Sequence, residues 1–456
     1  MRVRYVALTP TKTAQAADVI ALTPELLAAT GARYSRNNEG LDNIISKIDW
    51  TDTDKSVDSI FKMVDYGHAS IADMSPVAIF MDDISIYAAY FLWANAPTAG
   101  GQESSTRYIK YSADSIISPK GLNIANPTTL LKFISEAFSA YESAKALWLN
   151  ILDNYPNTLN LPDEVINDES EKGSKKLARL KRNFAFDRAR VFLPVAAKTN
   201  VMMVNSARSW VELVSLLLSH PLKELNLLGS EIVNQLQLAV PRLVKHAVAK
   251  PETTAVLMDE LKALQQSDLT YEEYLPTSDG AFLELYNDTL ADLKKASSHR
   301  INRYSYFGEA PKMTGVRFGW ENITFGEIRD LNRHRTGSKR LVMKPNSFYN
   351  ASDQLDSEKL KNNLNELSII AHKMAAKSIS LLKACDPTYI YFTLLGHTYS
   401  FQHITTLDKY IYEAELRTGV GAHYRYAMHL RNTLHILYKL RPELKGVIIE
   451  GRGEPE

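Results

Sequence analysis

The chain contains the stretch WENITFGEIRDLNRHRTGS at residues 320–338. Apolar residues recur there at roughly helical spacing, which predicts a helix that ends at Arg333-His334-Arg335, just before Gly337; they are Ile323, Phe325, Ile328 and Leu331. Two guanidiniums flanking an imidazole, followed by the hydroxyl of Ser338, form a dense set of donors for an anionic ligand. Cations in the last turn of a helix also complement its dipole, which is the purely structural explanation of the triplet.

Composition places the chain among globular proteins without a global charge bias. Its 456 residues are 45% hydrophobic, enough for two or three domains with ordinary cores. A net charge of +1 gives no overall reason to bind nucleic acid or an anionic membrane, so any anion recognition must be local. The single Cys385 excludes an intrachain disulfide and favours a reducing compartment. Because the sequence has no apolar run of about 20 residues and no signal peptide, we expect a cytoplasmic protein.

A second polar run lies far upstream, at residues 102–108, which read Gln-Glu-Ser-Ser-Thr-Arg-Tyr. Together the two stretches resemble one motif cut in half. Flavin-dependent thymidylate synthases carry the continuous signature Arg-His-Arg-x-x-Ser-x-Asn-Glu-x-Ser-x-Arg-Tyr. Here the second half survives at 102–108, but residues 95–97 read Asn-Ala-Pro instead of Arg-His-Arg. The first half survives at 333–338, but residues 340–346 have lost the second half.

Shorter segments are similar to other parts of the family's pattern. His68 and Ser70 lie where the family has a His-x-Thr/Ser contact to flavin. Arg190 precedes a Leu-Pro pair, and Arg208 lies in a segment that resembles the family's Asn-x-Arg-Ser-Leu near the flavin. Arg417 lies in a Leu-Arg segment that resembles the one whose arginine contacts the pyrimidine. The resemblance is therefore strong at short segments spread over most of the chain.

The second part of the chain repeats the first in the same order, in compressed form. The echoed pairs are 32–35 with 302–305, a strand near 76–84 with 316–320, a helix at 87–97 with 325–335, and a long helix at 128–155 with 362–384. We therefore predict an α+β fold of the family's type, with two tandem helix-rich domains that each contain a small antiparallel sheet. The predicted first domain spans 1–250 and holds the nucleotide half-site. A linker region spans 251–280, and the second domain, with the flavin half-site, spans 281–456.

Each predicted domain keeps the motif parts that the other lacks. The first keeps Glu103, Ser105 and Arg107, whereas the second keeps Arg333–Arg335 and Arg417. In the family the active site lies between subunits of a tetramer, so a fused pair of such domains would form one intact site and one inactive site. Two chains would rebuild the tetramer as a pseudo-symmetric homodimer.

The resemblance implies a thymidylate synthase-like methyltransferase that makes dTMP from dUMP, with FAD as cofactor and with NADPH and methylenetetrahydrofolate as co-substrates. The implied catalytic residues are Glu103, Arg333 and Arg417. The implied dUMP-binding residues are these three with Ser105, Thr106, Arg107 and Arg190. The implied FAD-binding residues are His68, Ser70, Arg208, Arg333, His334, Arg335 and Ser338. No cluster of His, Cys and Glu has metal-ligand spacing, so we expect no metal, and the expected partners are small nucleotide and folate substrates rather than nucleic acid or membrane.

Two other functions stay open at this stage. Gln102 stands where the family has Asn, and Asp330 stands where it has Gln. Flavin-dependent one-carbon transfer could therefore act on another pyrimidine nucleotide, or the chain could bind flavin or nucleotide without catalysis. On a helix, Asp330 shares a face with Arg333, so we expect its charge to be neutralised by Arg329 or Arg333.

We expect Cys385→Ser to leave turnover nearly unchanged. The thiol lies at a predicted helix end, and its neighbour Asp386 is an acid, which does not favour a nucleophilic thiolate. Steady-state turnover of both proteins, with the fold checked by circular dichroism, tests this expectation. A large loss of turnover in a folded variant would restore a thiol mechanism.

Overall fold

The computed structural model describes residues 1–62, 69–106, 109, 111–112, 114–159, 161, 163–287, 298–419 and 422–451. Within these limits the chain forms two compact units. The first unit comprises residues 1–105, 116–124 and 197–261, and the second comprises residues 106–115, 125–196 and 262–456.

Strands and helices alternate irregularly along the chain. The strands are β1 (Arg2–Val6), β2 (Pro76–Ser85), β3 (Gly100–Glu103), β4 (Lys198–Ser206), β5 (Phe282–Tyr286), β6 (Gly315–Thr324), β7 (Ser338–Val342) and β8 (Thr398–Thr406). The helices up to the middle of the chain are α1 (Lys12–Ala16), α2 (Pro24–Tyr34), α3 (Leu41–Ser46), α4 (Thr53–Phe61), α5 (Ile86–Ala94), α6 (Pro127–Asn154), α7 (Asp163–Ile166), α8 (Glu171–Ala189), α9 (Ala207–Ser219), α10 (Lys223–Ala239) and α11 (Pro251–Gln266). The later helices are α12 (Ala310–Met313), α13 (Phe325–Leu331), α14 (Glu358–Leu367), α15 (Ile369–Lys383), α16 (Leu407–Arg417) and α17 (Tyr424–Leu440).

Each unit contains one four-stranded sheet, and the two sheets have the same topology. The first sheet has the order β1-β2-β4-β3 and the second has the order β5-β6-β8-β7, with antiparallel pairing throughout. Helices supply most of the remaining ordered structure in both units. The predicted fold class, helix-rich with two small antiparallel sheets, is confirmed.

The two sheets also share an irregularity and a register. In β2 the pairing with β4 shifts between Met81 and Ile84, and in β6 the pairing with β8 shifts between Trp320 and Ile323. Each of these strands runs directly into a helix. In β3, Gly100 pairs with Val204, and in β7, Ser338 pairs with Ile404. Gly100 and Ser338 therefore occupy equivalent positions in the two sheets. Residues 95–97 begin five residues before Gly100, just as residues 333–335 begin five residues before Ser338. This is the alignment that the split motif requires.

Helix α6 belongs to the second unit although it lies in the first half of the sequence. Its Phe133 ring lies 6.2 Å from the ring of Phe392, in an edge-on arrangement. Its inward residues, including Trp148, are fully buried, and Trp148 lies 5.9 Å from Phe184 of α8. Apolar packing of α6 against α8 and the 387–392 turn thus carries residues 125–196 into the second unit.

Local chemistry explains most of the element boundaries, including those that differ from the sequence predictions. Residues 320–324 continue strand β6 instead of opening a helix, and α13 begins only after Thr324, whose hydroxyl caps it. Helix α10 ends at Ala239, because Pro241 disfavours a helical Val240. Among the described helices, none has both the length and the apolar content of a membrane span.

We expect Gly337→Ala to destabilise the protein more than Gly446→Ala does. Both glycines have a left-handed backbone, at φ of 61° and 88°, which costs an alanine about 1–2 kcal/mol. At Gly337 an added Cβ would also lie 1.8 Å from the carbonyl oxygen of Ile404, whereas nothing lies within 4 Å at Gly446. Urea denaturation should therefore give Gly337→Ala a further loss of roughly 1–3 kcal/mol. Equal losses in the two variants would contradict this account of the β7 entry.

Candidate active site

The structure brings part of the predicted site together in the second unit. Arg190, Arg333, His334 and Arg417 lie around the C-terminal end of α13, and Arg335, Ser338 and Thr106 belong to the same unit. The first unit holds Ser70, Glu103, Ser105 and Arg208. His68 and Arg107 lie outside the described residues.

Helix α13 is short and entirely buried, and this fixes where its last side chains point. All seven of its residues are buried, including Glu327 and Asp330. Thr324 and Glu327 form a capping box at its first turn, in which each side chain satisfies a backbone N–H. The helix ends at Leu331, and the chain then turns so that Arg333 is 44% exposed while His334 is buried.

Asp330 is the centre of a cluster of guanidiniums. Arg190 Nη2 donates to its Oδ2 at 3.1 Å, and Arg333 Nη2 lies 3.4 Å from its Oδ1. Arg417 Nη2 donates to its backbone oxygen at 3.0 Å. Burial alone would raise the pKa of Asp330, but Arg190, Arg333, Arg417 and Arg329 outweigh burial and hold that pKa well below its usual value. Asp330 is therefore ionised at neutral pH.

The closest partner of Asp330 differs from the sequence expectation. Arg333, three residues away, does contact it, but Arg190 approaches more closely, and the Arg190–Asp330 pair is almost completely buried. Arg190 is 140 residues away in the sequence, so helical spacing could not reveal this pair. The pair therefore places Arg190, a predicted nucleotide-binding residue, at the end of α13 from which the basic stretch follows.

His334 does not act as a third cation beside Arg333 and Arg335. Arg417 Nε donates to His334 Nε2 at 2.7 Å. Because a guanidinium only donates, His334 Nε2 must carry a lone pair and the ring hydrogen lies on Nδ1. Burial lowers the pKa of His334 to about 4, although Glu413 opposes that effect. His334 is therefore neutral, and it orients Arg417.

A buried carboxylate, Glu413, lies behind His334. Its Oε2 is 4.0 Å from His334 Nδ1 and 3.3 Å from His403 Nδ1, while His403 Nε2 lies 2.7 Å from the carbonyl oxygen of Thr336 and donates to it. Burial raises the pKa of Glu413, but the basic side chains around it, His403 and Lys339 among them, outweigh burial and lower that pKa to about 2. Glu413 is therefore ionised at neutral pH.

A second polar chain, which the sequence analysis missed, begins at the other end of α13. Glu327 Oε2 accepts from Arg425 Nε at 3.1 Å, and its Oε1 lies 3.3 Å from His429 Nε2. His429 Nδ1 lies 2.7 Å from Asp279 Oδ2. Both ring nitrogens of His429 thus lie within 3.3 Å of a carboxylate oxygen. The Thr-x-x-Glu pattern at 324–327 is a recognisable capping signal in the sequence, but residue spacing does not reveal the charged partners of Glu327.

Among the predicted residues of the first unit, Arg208 has acidic partners close by. Arg208 pairs with Asp73 at 3.2 Å and with Glu212 at 3.1 Å, on an exposed face. Glu103 is the last residue of β3, and Ser70 is exposed in the 69–74 turn. Among the described residues, no three His, Cys, Asp or Glu side chains are placed to hold a metal ion.

Comparison with known families assigns the first half of the chain. Residues 18–242, just under half of the sequence, match the family model described as thymidylate synthase complementing protein. These residues belong to that family. The matched region contains the 102–108 half of the signature together with Arg190 and Arg208, whereas the 333–338 half lies beyond it. The resemblance to flavin-dependent thymidylate synthases is thereby confirmed.

Two similar proteins match a larger part of this chain than the family model does. A UPF0159 protein of Chlamydia pneumoniae is 24% identical over 348 residues, which cover 66% of this chain but only 63% of that protein's length. A UPF0159 protein of Thermoplasma acidophilum is 20% identical over 476 aligned positions, covering 91% of this chain and 93% of its own. The chain therefore matches less than two thirds of the Chlamydia pneumoniae protein.

Two solved structures are also similar to this chain. They are a UMP/dUMP methylase PolB from Streptomyces cacaoi bound with 5-Br dUMP and the same enzyme bound with 5-Br UMP. The first has a TM-score of 0.32 at 15% identity, covering 54% of this chain and 93% of that chain. The second has a TM-score of 0.31 at 15% identity, covering 51% and 95%.

We expect Asp330→Asn to cost roughly 3–5 kcal/mol in the free energy of unfolding at pH 7, because it leaves the buried guanidinium of Arg190 without its carboxylate. The matched control is Asp82→Asn. Asp82 pairs with Arg2 at 2.6 Å on the surface, and such pairs contribute about 0–1 kcal/mol. Urea denaturation of the three proteins measures both losses.

The pH dependence gives the same test a second readout. The pKa of Asp330 is lower in the folded than in the unfolded protein, so its contribution is fully present above the unfolded pKa of about 3.9 and is lost as the pH falls through the folded pKa. The unmodified protein should therefore lose more stability below about pH 4 than Asp330→Asn does. Parallel pH profiles would contradict the ion-pair assignment.

Proposed function

We propose that this chain is a flavin-dependent thymidylate synthase-like methyltransferase that makes dTMP from dUMP, with methylenetetrahydrofolate and NADPH as co-substrates. The observation that carries the proposal is the convergence of Arg190, Arg333 and Arg417 on Asp330. Guanidiniums held by a buried carboxylate are a suitable site for a nucleotide, whose phosphate and carbonyl groups accept hydrogen bonds. The membership of residues 18–242 in the thymidylate synthase complementing protein family supports it.

The residues after α13 fit the phosphates of FAD. Arg333 is exposed enough to reach a ligand, Arg335 and Thr336 are half-buried, and Ser338 is exposed. Two guanidiniums and two hydroxyls within six residues are the donor types that a diphosphate requires. When bound, FAD supplies the redox chemistry and relays the one-carbon unit, with NADPH as its reductant.

Arg417 is the residue best prepared to act on the pyrimidine. Its Nε is used by His334 and its Nη2 by the backbone of Asp330, so the side chain is held in one orientation. Among the described residues, none accepts from its Nη1, which is therefore available to a uracil carbonyl. A donor fixed in this way stabilises negative charge on the ring without reorganisation.

The nucleotide half-site of the first domain completes the proposal. By the family resemblance, Arg107 with Ser105 and Thr106 binds the dUMP phosphate, Glu103 orders the nucleotide against the flavin, and Arg190 contributes from its pair with Asp330. His68, Ser70 and Arg208 would add flavin contacts. We further propose that two chains form a cytoplasmic homodimer.

Asp330 also bears on the choice of nucleotide. A cytosine amino group would need an acceptor where uracil has a carbonyl, and Asp330 would be the candidate acceptor. Both of its carboxylate oxygens already face guanidiniums. Because both oxygens are already engaged by guanidiniums, Asp330 favours dUMP over a cytidine nucleotide.

The decisive experiment combines a flavin spectrum with an assay for dTMP. We expect the purified protein to show a bound-flavin absorption spectrum and to form dTMP from dUMP when methylenetetrahydrofolate and NADPH are present. Arg333→Ala should reduce turnover by about 100-fold or more, as expected for the loss of a preorganised charged donor. The control Arg340→Ala removes an exposed arginine of β7 and should retain turnover.

Two outcomes would count against the proposal. A folded protein that binds neither added FAD nor dUMP would exclude both the synthase and the one-carbon transfer alternative. Binding of both ligands without dTMP formation would instead support the non-catalytic alternative. Mixing the Arg107→Ala and Arg333→Ala variants distinguishes the site's location, because recovered turnover requires a site built between chains.

A further inference from the structure

The second unit contains a cleft that is separate from the guanidinium cluster around Asp330. Its volume is about 480 Å³, within the range of roughly 300–1,000 Å³ that is usual for small-molecule sites. The cleft lies among the segment 273–279, the loop 348–353, α14 and the first turns of α17. The residues of the basic stretch 333–338 do not line it.

Arg425 is the charged group at the buried side of this cleft. It is only 4% exposed, its Nε donates to Glu327, and its guanidinium lies 3.5 Å from the centre of the Tyr349 ring. Among the described residues, none accepts a hydrogen bond from its Nη1 or Nη2. A buried guanidinium fixed on one edge, with its other donors unused beside a cleft, matches the geometry by which arginine binds a carboxylate or phosphate.

The polar chain behind Arg425 leaves this guanidinium able to accept an anion. Glu327 is shared between Arg425 and His429, and His429 is in turn held by Asp279. Basic and acidic side chains alternate along this chain, so that each carboxylate has a basic neighbour. Arg425 also lies in the first turn of the 17-residue helix α17, whose dipole favours an anion.

The outer part of the cleft has a different character. Its walls include the rings of Phe348 and Tyr274, and Tyr274 is 81% exposed. The rim carries Glu273 and Asp353, which are exposed acids, together with Lys361. Phe348 is only 4% exposed, so Tyr274 offers the exposed aromatic face, which suits a flat ring, and carboxylates at the rim accept hydrogen bonds from ring N–H groups.

We infer that this cleft binds a small acidic molecule, with its phosphate or carboxylate on Arg425 and a flat ring that bears N–H donors against the ring of Tyr274. Nucleoside monophosphates and pterin carboxylates both combine an anionic group with such a ring. The anionic group is a phosphate in the first class and a carboxylate in the second. The inference does not depend on the proposed methyltransferase activity, because it uses none of the residues assigned to that site.

Isothermal titration of the full chain tests the inference with four probes: GMP, pterin-6-carboxylate, inorganic phosphate and benzoate. We expect one saturable site per chain for GMP, for pterin-6-carboxylate or for both, and at least tenfold weaker binding of phosphate and benzoate, which lack the donor-bearing ring. The stronger of the first two probes identifies the oxyanion. Equal binding of phosphate and GMP would overturn the assignment of the ring site.

Variants locate the binding. Arg425→Lys removes the planar pair of donors and should weaken binding at least tenfold. Because that change disturbs the contact with Glu327, Met428→Trp provides a second test: Met428 is 39% exposed at the cleft wall, and the larger side chain should block entry without affecting the fold. The matched control, Lys359→Glu, changes an exposed residue of α14 outside the cleft and should leave binding unchanged.

Arg333→Ala separates this cleft from the proposed active site. Binding that persists in Arg333→Ala and disappears in Met428→Trp supports the inference. Binding that disappears in Arg333→Ala and persists in Met428→Trp would assign the ligand to the guanidinium cluster and overturn it. The absence of saturable binding of all four probes to the folded protein would also overturn it.

Discussion

The buried ion pair between Asp330 and Arg190 is the interaction on which the arrangement of the candidate active site depends. Burying a carboxylate or a guanidinium alone is costly, so each makes the other's position possible. Asp330 sits on α13, and Arg190 follows the last residue of α8. Their contact fixes the end of α8 against the end of α13, and Arg333 and Arg417 then complete the cluster.

Helix α13 carries charge at both ends, although its seven residues are all buried. Glu327 at its first turn is balanced by Arg425 and His429, and Asp330 at its last turn is balanced by arginines. A short helix with two uncompensated carboxylates would not be stable in an apolar environment. Neutralisation from surrounding elements therefore lets one element connect the guanidinium cluster with the cleft beside Arg425.

Much of the architecture could be predicted from the sequence because it rests on local rules. The sequence indicated a strand near β2 and a long helix at α6. The split motif aligned Gly100 with Ser338, and the registers of β3 and β7 agree with that alignment. Errors arose where the pattern was ambiguous: Ile323 fits a helical spacing, yet it lies in β6 beyond a shift in register.

The sequence by itself determined which residue types were available for an anion site, because arginine, histidine and hydroxyl side chains carry their chemistry wherever they lie. Only the tertiary structure decided what each of them does. His334 became a neutral acceptor because Arg417, 83 residues away, donates to it, and Asp330 met Arg190 instead of relying on its helical neighbours. Protonation and pairing depend on burial and on partners that are distant in the chain, and periodicity within a single segment carries no record of either.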